Sequence, residues 1–206
     1  HLPPGPLIGE LLEGLREVTA RYEIPLIFDE VVTGFRLAYG GAQEFYGVKP
    51  DLAAIGKIVG GGLPLAAVCG RAEIMRYFES SANAEEQVPQ VGTLNGTPIA
   101  ATAGLATLAE LRKPGTYQRL RANGVTLRTA LQDTLDQAEI PARVVGDDAV
   151  FDAYFTEGEI TDYRSTLTAD RILARRFHNL LLEHGILKGN QKFYMAVAHT
   201  DEDIRR

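Results

Sequence analysis

Two residues of this 206-residue chain could do chemistry together: a carboxylate and an amine, each closing an apolar run. Asp29 follows Ile24-Pro25-Leu26-Ile27-Phe28. Lys57 follows Leu52-Ala53-Ala54-Ile55-Gly56 and precedes Ile58-Val59-Gly60-Gly61-Gly62. Both runs read as short buried strands of a parallel sheet, since neither shows the alternation of a half-wet strand. In open α/β sheets, ligands sit beyond the carboxyl ends of the strands. The pair lies 28 residues apart, about one strand–helix–strand unit, which sets them on neighbouring edges of one crevice. A carboxylate there can hold a protonated ring nitrogen. An amine whose apolar and glycine-rich flanks keep it from water stays neutral and attacks carbonyls. Together they suit a cofactor with a basic nitrogen and an aldehyde. Taken singly, each has a plainer reading: most lysines are solvated, and an acid just past a strand is often a turn former or cap.

A third candidate is Gly92-Thr93-Leu94-Asn95-Gly96-Thr97-Pro98. Hydroxyls and free amides ahead of a helix suit a phosphate, or simply cap the helix. Gly60-Gly61-Gly62 is no Walker loop, because the lysine precedes the glycines, and no dinucleotide fingerprint is present. No metal cluster is expected.

The elements that must position these groups follow from periodicity and punctuation. Residues 9–22 predict an amphipathic helix with Leu11, Leu12, Leu15, Val18 and Tyr22 on one face. After the strand to Asp29 come a loop, a short helix over 42–46, a turn at Lys49-Pro50-Asp51 and the strand before Lys57. A third strand is expected over 65–70, a helix over 71–79 and a polar loop over 80–90. Pro98 opens a long helix to about Arg112, which Lys113-Pro114-Gly115 breaks. A second runs from about Thr116 to Ala138. Beyond Pro141, short strands over 142–145, 150–155 and 193–198 surround a helix over 169–184 that Gly185 closes.

Composition sets the class. Charged residues make up 23% of the chain and the net charge is -6, which with no Lys/Arg-rich block argues against nucleic acid. The single cysteine, Cys69, excludes an internal disulfide and suits a reducing compartment. No stretch reaches the roughly 20 apolar residues that span a bilayer, and no basic region leads an apolar core at the N-terminus. A cytoplasmic protein that meets neither nucleic acid nor membrane is expected. Thr200-Asp201-Glu202-Asp203 is a strong helix start that stops at Arg206, and His1–Pro6 is a loop, so a segment of a longer protein is expected.

The run Ile27-Phe28-Asp29-Glu30-Val31-Val32-Thr33-Gly34-Phe35-Arg36 resembles the cofactor-carboxylate motif of class III aminotransferases, pyridoxal-phosphate enzymes of fold-type I. Gly40-Gly41-Ala42-Gln43, Lys49-Pro50-Asp51-Leu52, Gly56-Lys57 and Gly60-Gly61-Gly62-Leu63-Pro64 are similar to the same family in order and spacing. The most similar branch is glutamate-1-semialdehyde 2,1-aminomutase and its relatives. The resemblance implies an α/β architecture. Residues 1–115 would be the C-terminal half of the large parallel-sheet, cofactor-binding domain, and 116–206 a small C-terminal α/β domain. The family's N-terminal half is absent.

The resemblance also implies roles. Lys57 would form the Schiff base with pyridoxal 5'-phosphate and then shuttle a proton. Asp29 would bind the pyridine nitrogen and Val31 would pack on a ring face. Thr93 would reach the phosphate of the neighbouring subunit's cofactor, which implies a homodimer. His199 would be structural. Two departures stand out: Gly96-Thr97-Pro98 replaces the family's usual Gly-Asn-Pro, and Gly189-Asn190-Gln191-Lys192-Phe193-Tyr194 lacks the acid that the aminomutase branch places before its last strand. The second favours an aminotransferase moving an amino group from an amine or amino-acid donor to a keto or aldehyde acceptor. The alternatives are an intramolecular aminomutase or an epimerase using the same residues, and an inactive segment that only dimerises.

Overall fold

The computed structural model describes residues 6–79, 87–188 and 192–206. These form two compact units, Pro6–Pro114 and Gly115–Arg206.

The first unit opens with α1 (Pro6–Arg21) and β1 (Ile27–Glu30). It continues through α2 (Gly41–Tyr46), β2 (Leu52–Ile55) and a single 3₁₀ turn (Lys57–Gly60). Then come β3 (Ala67–Gly70), α3 (Ala72–Met75), a second 3₁₀ turn (Arg76–Phe78) and α4 (Pro98–Leu111). The sheet order is β1-β2-β3. β1 and β2 pair in parallel, with Asp29 opposite Ala54 and Glu30 opposite Ile55. Phe28, Val48 and Ala53 form a buried cluster, with Leu12, Leu26 and Tyr46 packed on it. Emptying the Phe28 position to Ala costs about 3 kcal/mol or more.

Three expectations need correction in this unit. β1 does alternate, with Phe28 and Glu30 buried and Ile27 and Asp29 exposed, because its inward face packs through Phe28 on Leu12, Leu26 and Tyr46 and its other face is uncovered in this chain. The third strand is shorter than expected, Ala67–Gly70 in place of 65–70, and it runs antiparallel to β2, a direction that a short apolar run leaves open. The apolar stripe of α1 packs through Leu12, while Leu11, Leu15, Val18 and Tyr22 are exposed.

The second unit contains α5 (Thr116–Gln137), β4 (Arg143–Asp147), β5 (Val150–Tyr154), α6 (Tyr163–Thr166), α7 (Arg171–Glu183), β6 (Phe193–Tyr194) and α8 (Asp201–Arg205). Its sheet, β4-β5-β6, is antiparallel throughout. Leu135 from α5, Ala142, Ala153 and Phe155 make its core, against Leu173 and Phe177 of α7. Gly124 lets α5 lie on the β4–β5 turn, since a Cβ there would collide with the Asp148 carbonyl. Asp170 caps α7 by accepting from the Ile172 and Leu173 amides, and Gly185 ends it at φ +78. The last strand is shorter than expected, two residues, before Thr200 and Asp203 box the start of α8.

Candidate active site

The parallel register makes β1 and β2 end level. Asp29 is the third of four residues in β1, and Lys57 comes two residues after β2 ends at Ile55. Asp29 points away from the core and is exposed. Its Oδ1 accepts the Val31 amide at 3.0 Å, which turns the chain as it leaves the strand. Val31 then leans toward the end of β2: its Cγ1 and Cγ2 lie 3.5 and 3.8 Å from where a Cβ on Gly56 would stand. The residues after the acid and before the lysine therefore pack on each other, and the structure brings Asp29, Val31 and Lys57 to one edge of the sheet.

Lys57 differs from its expected setting. Its side chain is exposed. The apolar flanks bury themselves, through Val59 and Gly60, and the 3₁₀ turn directs the lysine outward. The backbone of Lys57 carries the more informative signal: φ is +52, in the left-handed region. That conformation costs a residue with a Cβ about 1 kcal/mol, and such residues concentrate at functional sites. The turn is pinned from behind by α4. A Cβ on Gly104 would meet the Val59 carbonyl oxygen at 2.5 Å, and one on Gly61 would meet the Ala103 carbonyl oxygen at 2.8 Å.

Val31, Ile55, Leu65, Val68 and Leu94 line an open cleft of about 700 Å³, which extends to Asn95 and Gly96. The turn over 93–96 places Thr93 on the surface just before α4. Thr97, at the N-cap, sends its hydroxyl back to the Leu94 carbonyl at 2.7 Å, so no side chain caps α4. Amides at an uncapped helix start, beside an exposed hydroxyl, can take phosphate oxygens.

Sequence reasoning passed over two acids here. Glu30 is 1% exposed and holds the loop that follows β1. Asp51 accepts from the Leu26 amide, Arg16 and Arg71 at 2.8, 2.8 and 2.9 Å, and these bonds, the Leu26 amide first, hold its carboxyl well below the usual carboxylate range. Each sat inside a quoted motif, but neither motif says where an acid finds its donors.

The second unit has its own small cavity, about 270 Å³, lined by Asp152, Tyr154, Phe155, Tyr163 and Lys192. Asp152 pairs with the buried Lys188 at 3.0 Å, and the Lys188 ammonium lies 5.0 Å from the Phe193 ring centre. Burial pushes the Asp152 carboxyl up despite that cation, and pushes the Lys192 ammonium down. His199 accepts the Ala196 amide through Nδ1 at 3.2 Å. Of the loop that lacks the expected acid, residues 189–191 lie outside the described residues.

Residues 7–203 match the family model of class-III aminotransferases. The chain belongs to that family. Glutamate-1-semialdehyde 2,1-aminomutase of Pelotomaculum thermopropionicum is 46% identical over 215 residues, covering all of this chain and 46% of its own length. Glutamate-1-semialdehyde 2,1-aminomutase 2 of Brevibacillus brevis is 42% identical, covering all of this chain and 47% of its own length. An omega-transaminase from Sphaerobacter thermophilus superposes with a TM-score of 0.88 at 34% identity, over 96% of this chain and 45% of that one. The chain thus spans about half the length of these class-III relatives. Its α/β architecture is that of a partial fold-type I transferase, a family whose cofactor is pyridoxal phosphate. The groups at the sheet edge are of the kinds that cofactor needs: a carboxylate for a ring nitrogen, an amine for a carbonyl carbon and an apolar wall for a ring face.

Proposed function

We propose that the protein is a pyridoxal-phosphate aminotransferase, moving an amino group between an amine or amino-acid donor and a keto or aldehyde acceptor. The observation that carries this reading is the level ending of β1 and β2, with Asp29 one residue before the end of β1, Lys57 two residues past the end of β2, and Val31 closed onto Gly56. Lys57 holds the cofactor through its Nζ. Once a donor amine takes that place, the same Nζ would accept the proton leaving the donor's α-carbon and pass it to the cofactor's former aldehyde carbon, and with the acceptor it would carry a proton the opposite way. Asp29 keeps the ring nitrogen protonated by pairing with it. Held there with its ring so charged, pyridoxal phosphate would supply an electron sink for deprotonation at the donor's α-carbon. Val31 packs on the ring face and excludes water from it.

In this reading Pro6–Pro114 contributes to the large cofactor-binding domain and Gly115–Arg206 is the small domain. The Thr93 hydroxyl serves the phosphate of a neighbouring subunit's cofactor, so the enzyme works as a homodimer. Borohydride reduction of the holoenzyme is expected to fix the cofactor to Lys57, and Lys57→Ala to abolish turnover. An adduct that maps to another lysine sinks the assignment.

A second reading is an intramolecular aminomutase, favoured by the names of the two curated relatives at 46% and 42% identity. Product formation from one substrate, with no second carbonyl compound supplied, would select it.

A further inference from the structure

We infer that Glu30 is a positioning residue for the site: its buried carboxylate clamps the loop between β1 and α2 and so fixes the direction of Asp29 and the seat of Val31. The inference rests on the proposed function in assigning cofactor contacts to Asp29 and Val31. Glu30 ends β1 and is 1% exposed. Its Oε2 accepts the Thr33 hydroxyl at 2.6 Å and the Ala42 amide at 2.8 Å, and its Oε1 accepts the Gln43 amide at 3.0 Å. Its own carbonyl accepts the Gly34 amide at 2.8 Å. One residue therefore ties down both ends of the excursion from Val31 to Gly41.

Two glycines permit the clamp. At Gly34 a Cβ would stand 2.7 Å from the Glu30 carbonyl oxygen. Gly41 has φ +72, and a Cβ there would stand 2.5 Å from Glu30 Oε2. Gly40, at the N-cap of α2, offers no side chain, so Glu30 caps that helix from 12 residues upstream. The strand's alternation carries the effect to the site. With Glu30 locked inward, Asp29 must face outward and Val31 must leave the strand at a fixed angle.

Glu30→Gln tests this, because the amide nitrogen cannot accept and one of the two oxygen positions loses its bonds. In the cofactor-free protein, hydrogen exchange at the Val31, Ala42 and Gln43 amides is expected to rise about tenfold, while β2 and α4 keep their protection. In the holoenzyme, the dissociation constant for pyridoxal phosphate is expected to rise about tenfold, with reduction still marking Lys57. Faster exchange at Ala42 and Gln43 alone, with Val31 and cofactor affinity unmoved, would reduce Glu30 to a helix cap and overturn the inference. If Glu30→Gln does not fold, Thr33→Val decides by the same two readouts: it removes one donor and leaves the carboxylate, and the same pattern at smaller amplitude supports the clamp. A wild-type protein that takes no pyridoxal phosphate would sink the proposed function, while exchange at Val31 would still judge the clamp.

Discussion

Asp51 and Lys188 are buried or nearly so, charged, and outside the proposed chemistry, so their effects should be read in stability. Asp51 joins α1, the start of β1 and the residue after β3 through Arg16, the Leu26 amide and Arg71. Asp51→Asn is expected to lower unfolding free energy by about 2–3 kcal/mol, read as a lower denaturant midpoint. The wild-type group also predicts a pH dependence. Its folded pKa lies below its unfolded value, so its contribution is complete above about pH 4 and is lost as pH falls toward the depressed folded value. Denaturant midpoints from pH 6 to 2 should show that loss, and Asp51→Asn should flatten it.

Lys188→Met removes the cation from a buried acid and should cost about 3 kcal/mol at pH 7. Here the sign reverses. Asp152 already titrates above its unfolded value because of burial. In the variant the Asp152 contribution is therefore most favourable below its unfolded value, where the carboxyl is protonated, and is lost as pH rises through the raised folded value. Adding Asp152→Asn should recover most of the loss.

Among elements, α4 is the one on which the lysine turn depends. The turn and the helix approach at backbone distance because Gly104 and Gly61 carry no side chains. Gly104→Ala should destabilise by about 1–3 kcal/mol and should slow borohydride trapping at Lys57, since the turn must shift to admit the methyl. An unchanged trapping rate beside a lowered melting temperature would limit Gly104 to packing.

The long helices were legible because Pro98, the Lys113-Pro114-Gly115 break and Gly185 punctuate them. The short α6 was not, because its capping box uses Ser165 at the third position instead of the usual Glu or Gln. Strand existence was legible for β1 and β2, and so was their common direction. The reversal at β3 was not, because alternation and apolarity look the same in either direction. The candidate site was legible as residue types and spacing. The exposure of Lys57 was not, because burial of neighbours does not fix where the side chain between them points.

For the whole chain, uncovered apolar surface has a solution consequence. Leu11, Leu15 and Val18 of α1 are exposed, and so are Tyr22 just after it and Ile27 on β1. The 206-residue chain should self-associate as its concentration rises, seen as growing light scattering, and Leu15→Glu with Val18→Lys should suppress this. The left-handed lysine sets a second global property, its thermal ceiling. Two variants without the amine can be made at that position, and they should not melt alike. Lys57→Ala keeps a Cβ in a conformation that disfavours one, whereas Lys57→Gly lets the turn relax and should gain about 1 kcal/mol over its alanine counterpart. Under the proposed function, chemistry and robustness thus compete for a single backbone torsion, and a lineage that stopped needing the amine would have a reason to put glycine there.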